Sequence, residues 1–552
     1  MALDLLDVTP PGVAYICLGG FVVIFSLFSL LMKEKLYLNE VVLGTAFGVI
    51  IGPYAGNIFD PRSWSSSTGS QNITLEVTRI VLATGLFAIG IELPKNYMWK
   101  HAKSLSAVVI PTMAAGWLIV GGIIKCLFPS LTYVSCLAIS SCLTPTDPII
   151  CAAIVGGKFA VKNVPINLRR ILSAESAAND GLAYPFLSIS IYLTVESSKR
   201  VAFGKWFLVG WLCHSWCCAG GGYGFVQSST SRLIFCHESA IGLLFSHLFQ
   251  LSKRKGFIDR ESYVAQYIAM SFFTIGVAHT IGSDDLLAAF AAGSAMSWDG
   301  HFNEQTEGEV FASVIDLVLN CACFIYIGAW LPFKDFSIPS LGIEPWRLIV
   351  LFISITFLRR IPPMMLLYKW IPEIDSWQEA LFSGHFGPMG VGAVFISTLA
   401  LTELPTPRNP PQNQEELLAL YIQPVVAFVV LGSIIIHGLS IPFFSFGRRV
   451  HSRTLSLSAT LTGTNTLPDW IFWSRPTSLA AGVAAAAFSE QEDVERNLGI
   501  GMDTSAVSSA RPSPRPGVST LPLQRQQSDH KIAAKPAENQ ESQEAQGVRF
   551  TQ

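Results

Sequence analysis

The chain has 552 residues, with 37 Lys and Arg against 39 Asp and Glu, a formal charge of −2, which gives it no bulk electrostatic reason to bind nucleic acid. Half of the residues are hydrophobic and only 14% are charged, a composition that excludes an ordinary soluble protein of this size. Beyond Gly447 lie 11 basic and 10 acidic side chains, leaving 26 and 29 in the first 447 residues. Residues 1–447 therefore read as a membrane domain and 448–552 as a cytoplasmic tail.

Apolar runs of about 20 residues, enough to cross a bilayer as a helix, recur between residues 12 and 446. Thirteen are predicted, at 12–32, 36–55, 74–93, 104–125, 131–156, 169–193, 206–250, 263–281, 284–298, 310–331, 346–370, 379–402 and 417–446. The first eleven residues carry Asp4 and Asp7 and no Lys or Arg, unlike a secretory signal peptide, so the first run is expected to persist as a span. Placing the N-terminus outside puts sixteen Lys and Arg on the inner side, from Lys33 to Arg453, and eight outside, from Arg62 to Arg408. Short-loop cations accumulate on the cytoplasmic side, which favours this arrangement. A twelve-span alternative moves the N-terminus inside and leaves the tail cytoplasmic.

Seven cysteines in or beside these runs, Cys17, Cys126, Cys136, Cys142, Cys151, Cys321 and Cys323, lack metal-ligand spacing and read as small packing residues. Residues 213–239, with clustered Cys, Gly and Ser plus Arg232 and Glu238, interrupt a span. They read either as a glycine-rich break beside a cavity or as retained intron sequence. After Gly447 the composition turns to Ser, Thr, Pro and Gln, and most of the tail is expected to be disordered. Leu479–Phe488 is too short to span and, with Trp470 and Trp473 upstream, reads as an interfacial segment.

Ionisable side chains within spans are costly and mark function by default. Thr144-Pro145-Thr146-Asp147-Pro148 sets an acid between two prolines in the fifth run. The prolines remove backbone donors and break the helix, leaving half-helix ends that can face an ion. In the sixth run Glu175 and Asn179 are i, i+4, as are Ser176 and Asp180, so four oxygen-bearing side chains share one sector. Such ligands suit a hard cation such as Na⁺. Glu92 closes the third run, in which Glu76 and Arg79 form an i, i+3 pair.

Asp284 and Asp285 open a short small-residue helix, as ion-site candidates or as its N-terminal cap. Asp316 lies within a span without an obvious local partner. Arg359 and Arg360 sit mid-span, where at least one of them requires a carboxylate or water, and Glu175 is a candidate partner. His385-Phe386-Gly387-Pro388-Met389-Gly390-Val391-Gly392-Ala393 predicts a second discontinuous helix, and two interrupted runs, one per half, indicate an inverted-repeat transporter. His385 reads as a packed neutral imidazole or a pH sensor.

TPTDP, ESAANDG, GSDDLLAAFAAG, LRRIPP and GHFGPMGVGA together resemble the cation/proton antiporters, most closely the fungal plasma-membrane Na⁺/H⁺ antiporters that export Na⁺ and K⁺. The resemblance covers about residues 1–450 except 213–239. It implies an all-α polytopic fold of 12–13 spanning helices with inverted repeats, and a homodimer in which a core domain moves against a dimer domain. It also implies that Asp180 is the principal ion and proton carrier with Asn179 beside it, that Asp147, Thr146, Ser176 and Glu92 surround the transported Na⁺ or K⁺, and that Glu175 pairs with an arginine. Many animal and prokaryotic relatives have an arginine just before the Gly-Ala of the twelfth-span motif, where this chain has Val391, so Arg359 and Arg360 stand as substitutes. The expected partners are Na⁺, K⁺, H⁺, the bilayer, a second copy and cytoplasmic regulators of the tail, with no cofactor. A sodium- or proton-coupled symporter is the alternative. A channel lacks a TVGYG-type filter here, and a membrane enzyme lacks H-E-x-x-H or G-x-S-x-G.

Overall fold

The computed structural model describes residues 9–196, 198–206, 229–298, 300, 302 and 311–462. The chain divides into two units, Met1–Asp469 and Trp470–Gln552, and all described residues belong to the first. The tail features from Trp470 onward and residues 213–228 of the anomalous stretch lie outside the described residues, while 229–239 begin a helix.

Among the described residues the secondary structure is helical, with one isolated bridge between Ile338 and Ile343. The principal elements are α1 (Pro10–Leu30), α2 (Glu40–Ile51), α3 (Ser67–Glu92), α4 (Ala102–Leu127), α5 (Tyr133–Leu143), α6 (Pro148–Val155), α7 (Ile166–Val195) and α8 (Ser229–Arg254). They continue with α9 (Arg260–Ile281), α10 (Asp285–Met296), α11 (Phe311–Trp330), α12 (Pro345–Leu358), α13 (Ile361–Leu367), α14 (Trp377–His385), α15 (Val391–Thr402) and α16 (Gln414–Thr462). The predicted runs fall on these helices or on interrupted pairs, except that of the run 206–250 only residues 206 and 229–250 are described, the latter within α8. Among the described residues six helical stretches are long and apolar enough to cross a membrane, Pro345–Trp370 counted as one, and α5 with α6, bent by 40°, passes the same test as a broken pair; the protein is a multi-pass membrane protein.

The starts follow capping chemistry. Thr9, Ser66, Thr132 and Ser376 each accept a backbone N–H of the first turn that follows, satisfying donors that lipid could not. The run predicted as continuous from 346 to 370 is divided, because Pro362 and Pro363 enter the first turn of α13 and leave Arg359 and Arg360 in the break. At the other end α16 continues to Thr462, past the composition change at Gly447, since helix continuity depends on local backbone bonds rather than on apolarity.

Helices approach closely where side chains vanish. A methyl added at Gly48 would lie 2.1 Å from the Ile325 carbonyl oxygen, and one at Gly328 would lie 2.3 Å from that of Thr45, so α2 and α11 meet backbone to backbone. Gly90 and Gly293 bring α3 and α10 together in the same way, against Phe290 and Phe87 respectively. Van der Waals packing of small residues replaces the hydrophobic driving force that lipid removes.

Gly328→Ala is expected to force α2 and α11 apart at a cost of ~1–3 kcal/mol. The check is the thermal midpoint of the detergent-solubilised protein, which should fall for Gly328→Ala and hold for Gly122→Ala, whose methyl would meet nothing within 4 Å.

Candidate functional site

Two interrupted spans meet in the core. In the first, α5 ends at Leu143 and Asp147 caps α6, its Oδ1 accepting the Ile150 N–H at 2.8 Å. In the second, α14 ends at His385 and α15 starts at Val391. The breaks are tied by backbone: the Asp147 N–H donates to the Pro388 carbonyl at 2.7 Å, and the Gly392 N–H reaches Asp147 Oδ2 at 3.3 Å. One carboxylate thus faces the N-terminal ends of both α6 and α15, where the helix dipoles carry partial positive charge.

The opposite ends are met by Arg359. Its Nη1 lies 2.6, 3.1 and 3.2 Å from the carbonyl oxygens of Leu143, Thr144 and Pro145, and its Nη2 donates to the Gly387 carbonyl. A guanidinium presents donors in a rigid fork, which suits it to collecting orphaned carbonyls from two helix ends. Arg360 takes the other direction: its fork pairs with both Glu175 oxygens and its Nε donates to the Ser383 carbonyl at 2.8 Å. Of the two candidate arginines, Arg360 is therefore the one paired with Glu175, while Arg359 serves carbonyls.

Asn179 fastens α7 to the first break. Its Oδ1 accepts the Thr146 N–H at 3.0 Å and its Nδ2 donates to the Thr146 hydroxyl at 2.7 Å. The next residue, Asp180, is 1% exposed, and neither carboxylate oxygen has a hydrogen-bond partner among the described residues. Its acidic neighbours are Asp147 and Asp284. α15 comes so close that a methyl at Gly392 would lie 2.7 Å from Asp180 Oδ1 and one at Gly390 would lie 2.6 Å from Asp147 Oδ2. The glycines of the second motif are thus required by two carboxylates lying against the backbone.

The remaining candidates sort by partner. Ser176 donates to the Ser173 carbonyl of its own helix at 3.0 Å. Asp284 caps α10, accepting the Leu286 and Leu287 N–H groups at 3.1 and 3.0 Å. Asp285 lies 2.6 Å from Arg79, which also meets Glu76, so the local Glu76–Arg79 pair extends into an ion pair joining α3 to α10. Glu92 is exposed at the end of α3, and its electrostatic neighbours are Tyr267 and Asp316 rather than Asp180. Asp316 does have a partner, the Tyr267 hydroxyl at 3.0 Å. The His385 Nε2 meets the Ser440 hydroxyl at 3.2 Å, a packed arrangement.

Residues 22–447 match the family model described as sodium/hydrogen exchanger, transmembrane. The chain belongs to the sodium/hydrogen exchanger family. It is 42% identical over 471 residues to a Na⁺/H⁺ antiporter of Saccharomyces cerevisiae, covering 83% of this chain and 46% of that protein. It is 39% identical to Na⁺/H⁺ antiporter 2 of Zygosaccharomyces rouxii, covering 85% and 57%, and 35% identical to a Na⁺/H⁺ antiporter of Schizosaccharomyces pombe, covering 79% and 90%. It thus spans about half the length of the first two. Its fold is similar to that of the sodium proton antiporter MjNhaP1 of Methanocaldococcus jannaschii, with a TM-score of 0.52 at 17% identity over 78% of this chain and 98% of that one.

In this exchanger-family chain the buried Glu175–Arg360 pair is a stability element whose halves are costly apart. Arg360→Met is expected to destabilise by about 3–5 kcal/mol because it leaves a buried carboxylate uncompensated. The double variant Glu175→Leu with Arg360→Met should recover most of that loss, a cycle read by thermal unfolding of the purified protein.

Proposed function

We propose that this protein is a secondary antiporter that exports Na⁺, and K⁺ with it, across the plasma membrane in exchange for H⁺, serving cation and pH homeostasis. The observation that carries the reading is Asp180: a carboxylate buried at the crossing of two broken helices, with both oxygens unclaimed by protein donors. A buried charge with no partner is costly, and either of two ligands relieves it. A proton neutralises the carboxylate, or a hard cation coordinates its oxygens. Bound at the same oxygens, the two exclude each other, so each passage of a cation in one direction is coupled to proton passage in the other.

The other candidates then have distinct roles. Asp147 holds the positive ends of α6 and α15 at the ion, and Thr146 with Asn179 fixes the height of Asp180 against the break. Ser176, one turn before Asp180 on α7, is the remaining oxygen donor of the proposed ion path, while Glu92 sits apart from it beside Tyr267 and Asp316. Glu175, Arg360 and Arg359 keep the surrounding charges paired, so the cation meets a carboxylate and not a second fixed cation. Alternating access comes from the interrupted spans moving as one bundle against the remaining helices, in a homodimer whose C-terminal tail faces the cytoplasm and receives regulators. Family membership and the similarity to yeast Na⁺/H⁺ antiporters favour antiport.

Reconstituted in liposomes with an imposed pH gradient, the protein is expected to dissipate the gradient on addition of Na⁺ or K⁺. Asp180→Asn should reduce that response to the level of protein-free liposomes. Exchange that survives the substitution would move the carrier role to another acid, Asp147 or Asp284 first.

A further inference from the structure

The second broken span carries no charged residue between His385 and Val391, yet its open backbone is held in register with the first. The elements that hold it come from α16, through two residues one helical turn apart. Ser433 is fully buried and His437 is 1% exposed. The Met389 N–H donates to Ser433 Oγ at 2.7 Å. Ser433 Oγ lies 3.1 Å from His437 Nδ1, which also faces the Ser433 carbonyl at 2.9 Å. On the other side of the ring, His437 Nε2 lies 3.0 Å from the carbonyl oxygen of His385. Both ring nitrogens thus face a carbonyl oxygen, which can only accept. With the hydrogen on Nε2, the neutral ring donates to the His385 carbonyl while Nδ1 accepts from the Ser433 hydroxyl, and this is the tautomer the relay uses.

We infer that Ser433 and His437 are positioning residues for cation binding: a relay from the Met389 amide through Ser433 and His437 to the His385 carbonyl fixes both ends of the gap in the second broken span. What the gap positions is specific. Between those two anchors lie the Gly387 carbonyl that receives Arg359 and the Pro388 carbonyl that receives the Asp147 amide. Just beyond them lies Gly392, whose amide meets Asp147 and whose Cα side abuts Asp180. The His385 carbonyl also accepts the Gly387 N–H at 2.9 Å, so an Ile or Leu at position 437 would remove the one donor that ties this carbonyl to α16. Without that tie the gap is free to shift, and with it the backbone that faces the two carboxylates. Ordinary packing needs no such chemistry, since the neighbouring positions of α16 are Ile434, Ile435 and Ile436.

The inference rests on the exchange reading above, so two readouts are taken on the same purified full-length protein. The first is the half-saturating Na⁺ concentration in proteoliposomes, normalised to folded protein. Ser433→Ala and His437→Leu are expected to raise it about fivefold to tenfold, whereas His437→Gln, which keeps an amide donor where Nε2 lies, should stay within about twofold. A purely structural lesion would lower the amount of active protein and leave half-saturation unchanged. The second is hydrogen–deuterium exchange of the peptide spanning 385–391, expected to quicken about tenfold in Ser433→Ala and to hold in His437→Gln. Unchanged protection of that peptide overturns the relay whether or not the protein transports, and unchanged half-saturation in an active protein overturns its role in cation binding. If the unmodified protein moves no protons with Na⁺, the exchange reading fails and the deuterium readout still decides the relay. Ser433→Ala, the smaller change, carries both measurements if His437→Leu yields no folded protein.

Discussion

Within a bilayer every backbone N–H and C=O must find a partner in the protein, because lipid offers none. This chain interrupts two helices at that depth and so creates four helix ends that need answers. The N-terminal ends of α6 and α15 share Asp147, and the carbonyls at the ends of α5 and α14 share Arg359. One acid and one base, each serving both spans, allow the breaks to exist and lock them to each other. The glycines of the second motif, the Asn179–Thr146 pair and the Ser433–His437 contacts all work inside the frame that this crossing sets.

The same constraint identifies the carboxylate left over. Glu175 is neutralised by Arg360, Asp285 by Arg79, and Asp316 is bonded by the Tyr267 hydroxyl. Asp147 and Asp284 are committed to backbone amides as helix caps. Asp180 alone among these acids has no donor of any kind within hydrogen-bond reach of either oxygen among the described residues. A buried pair is weak grounds for stability in itself, but a set of pairs that accounts for every neighbouring acid except one leaves the exception poised for exchangeable ligands. Flexible solvation by a cation or a proton is available only to a carboxylate that the fold has not already claimed.

Much of this is legible in the sequence because the cues are local. Proline either side of Asp147, and Gly-Pro-Met-Gly-Val-Gly in a later apolar run, state that two helices break, and the i, i+4 spacing of Glu175 with Asn179 states that they share a face. What is not legible is partner choice across the fold. Arg359 and Arg360 are adjacent in sequence, yet the break before Ile361 turns them to different tasks, and the Glu175 pairing closes over 185 residues. Glu92 reads as part of the ion path from its place in a motif, whereas its electrostatic neighbours are Tyr267 and Asp316. His437 shows as a single polar ring in SIIIHG, a signal that the cost of polar groups in lipid could have raised. Its partner, a carbonyl 52 residues earlier, has no sequence signature at all.

The central claim is that one carboxylate holds either a cation or a proton. Calorimetric titration of Na⁺ into the purified protein, repeated in buffers of different ionisation enthalpy, counts the protons released for each ion bound. Competition at Asp180 predicts a release that rises toward about one proton per Na⁺ as the pH is lowered, with none in Asp180→Asn. Sodium binding without proton release, or release that persists in the Asp180→Asn protein, would contradict the account.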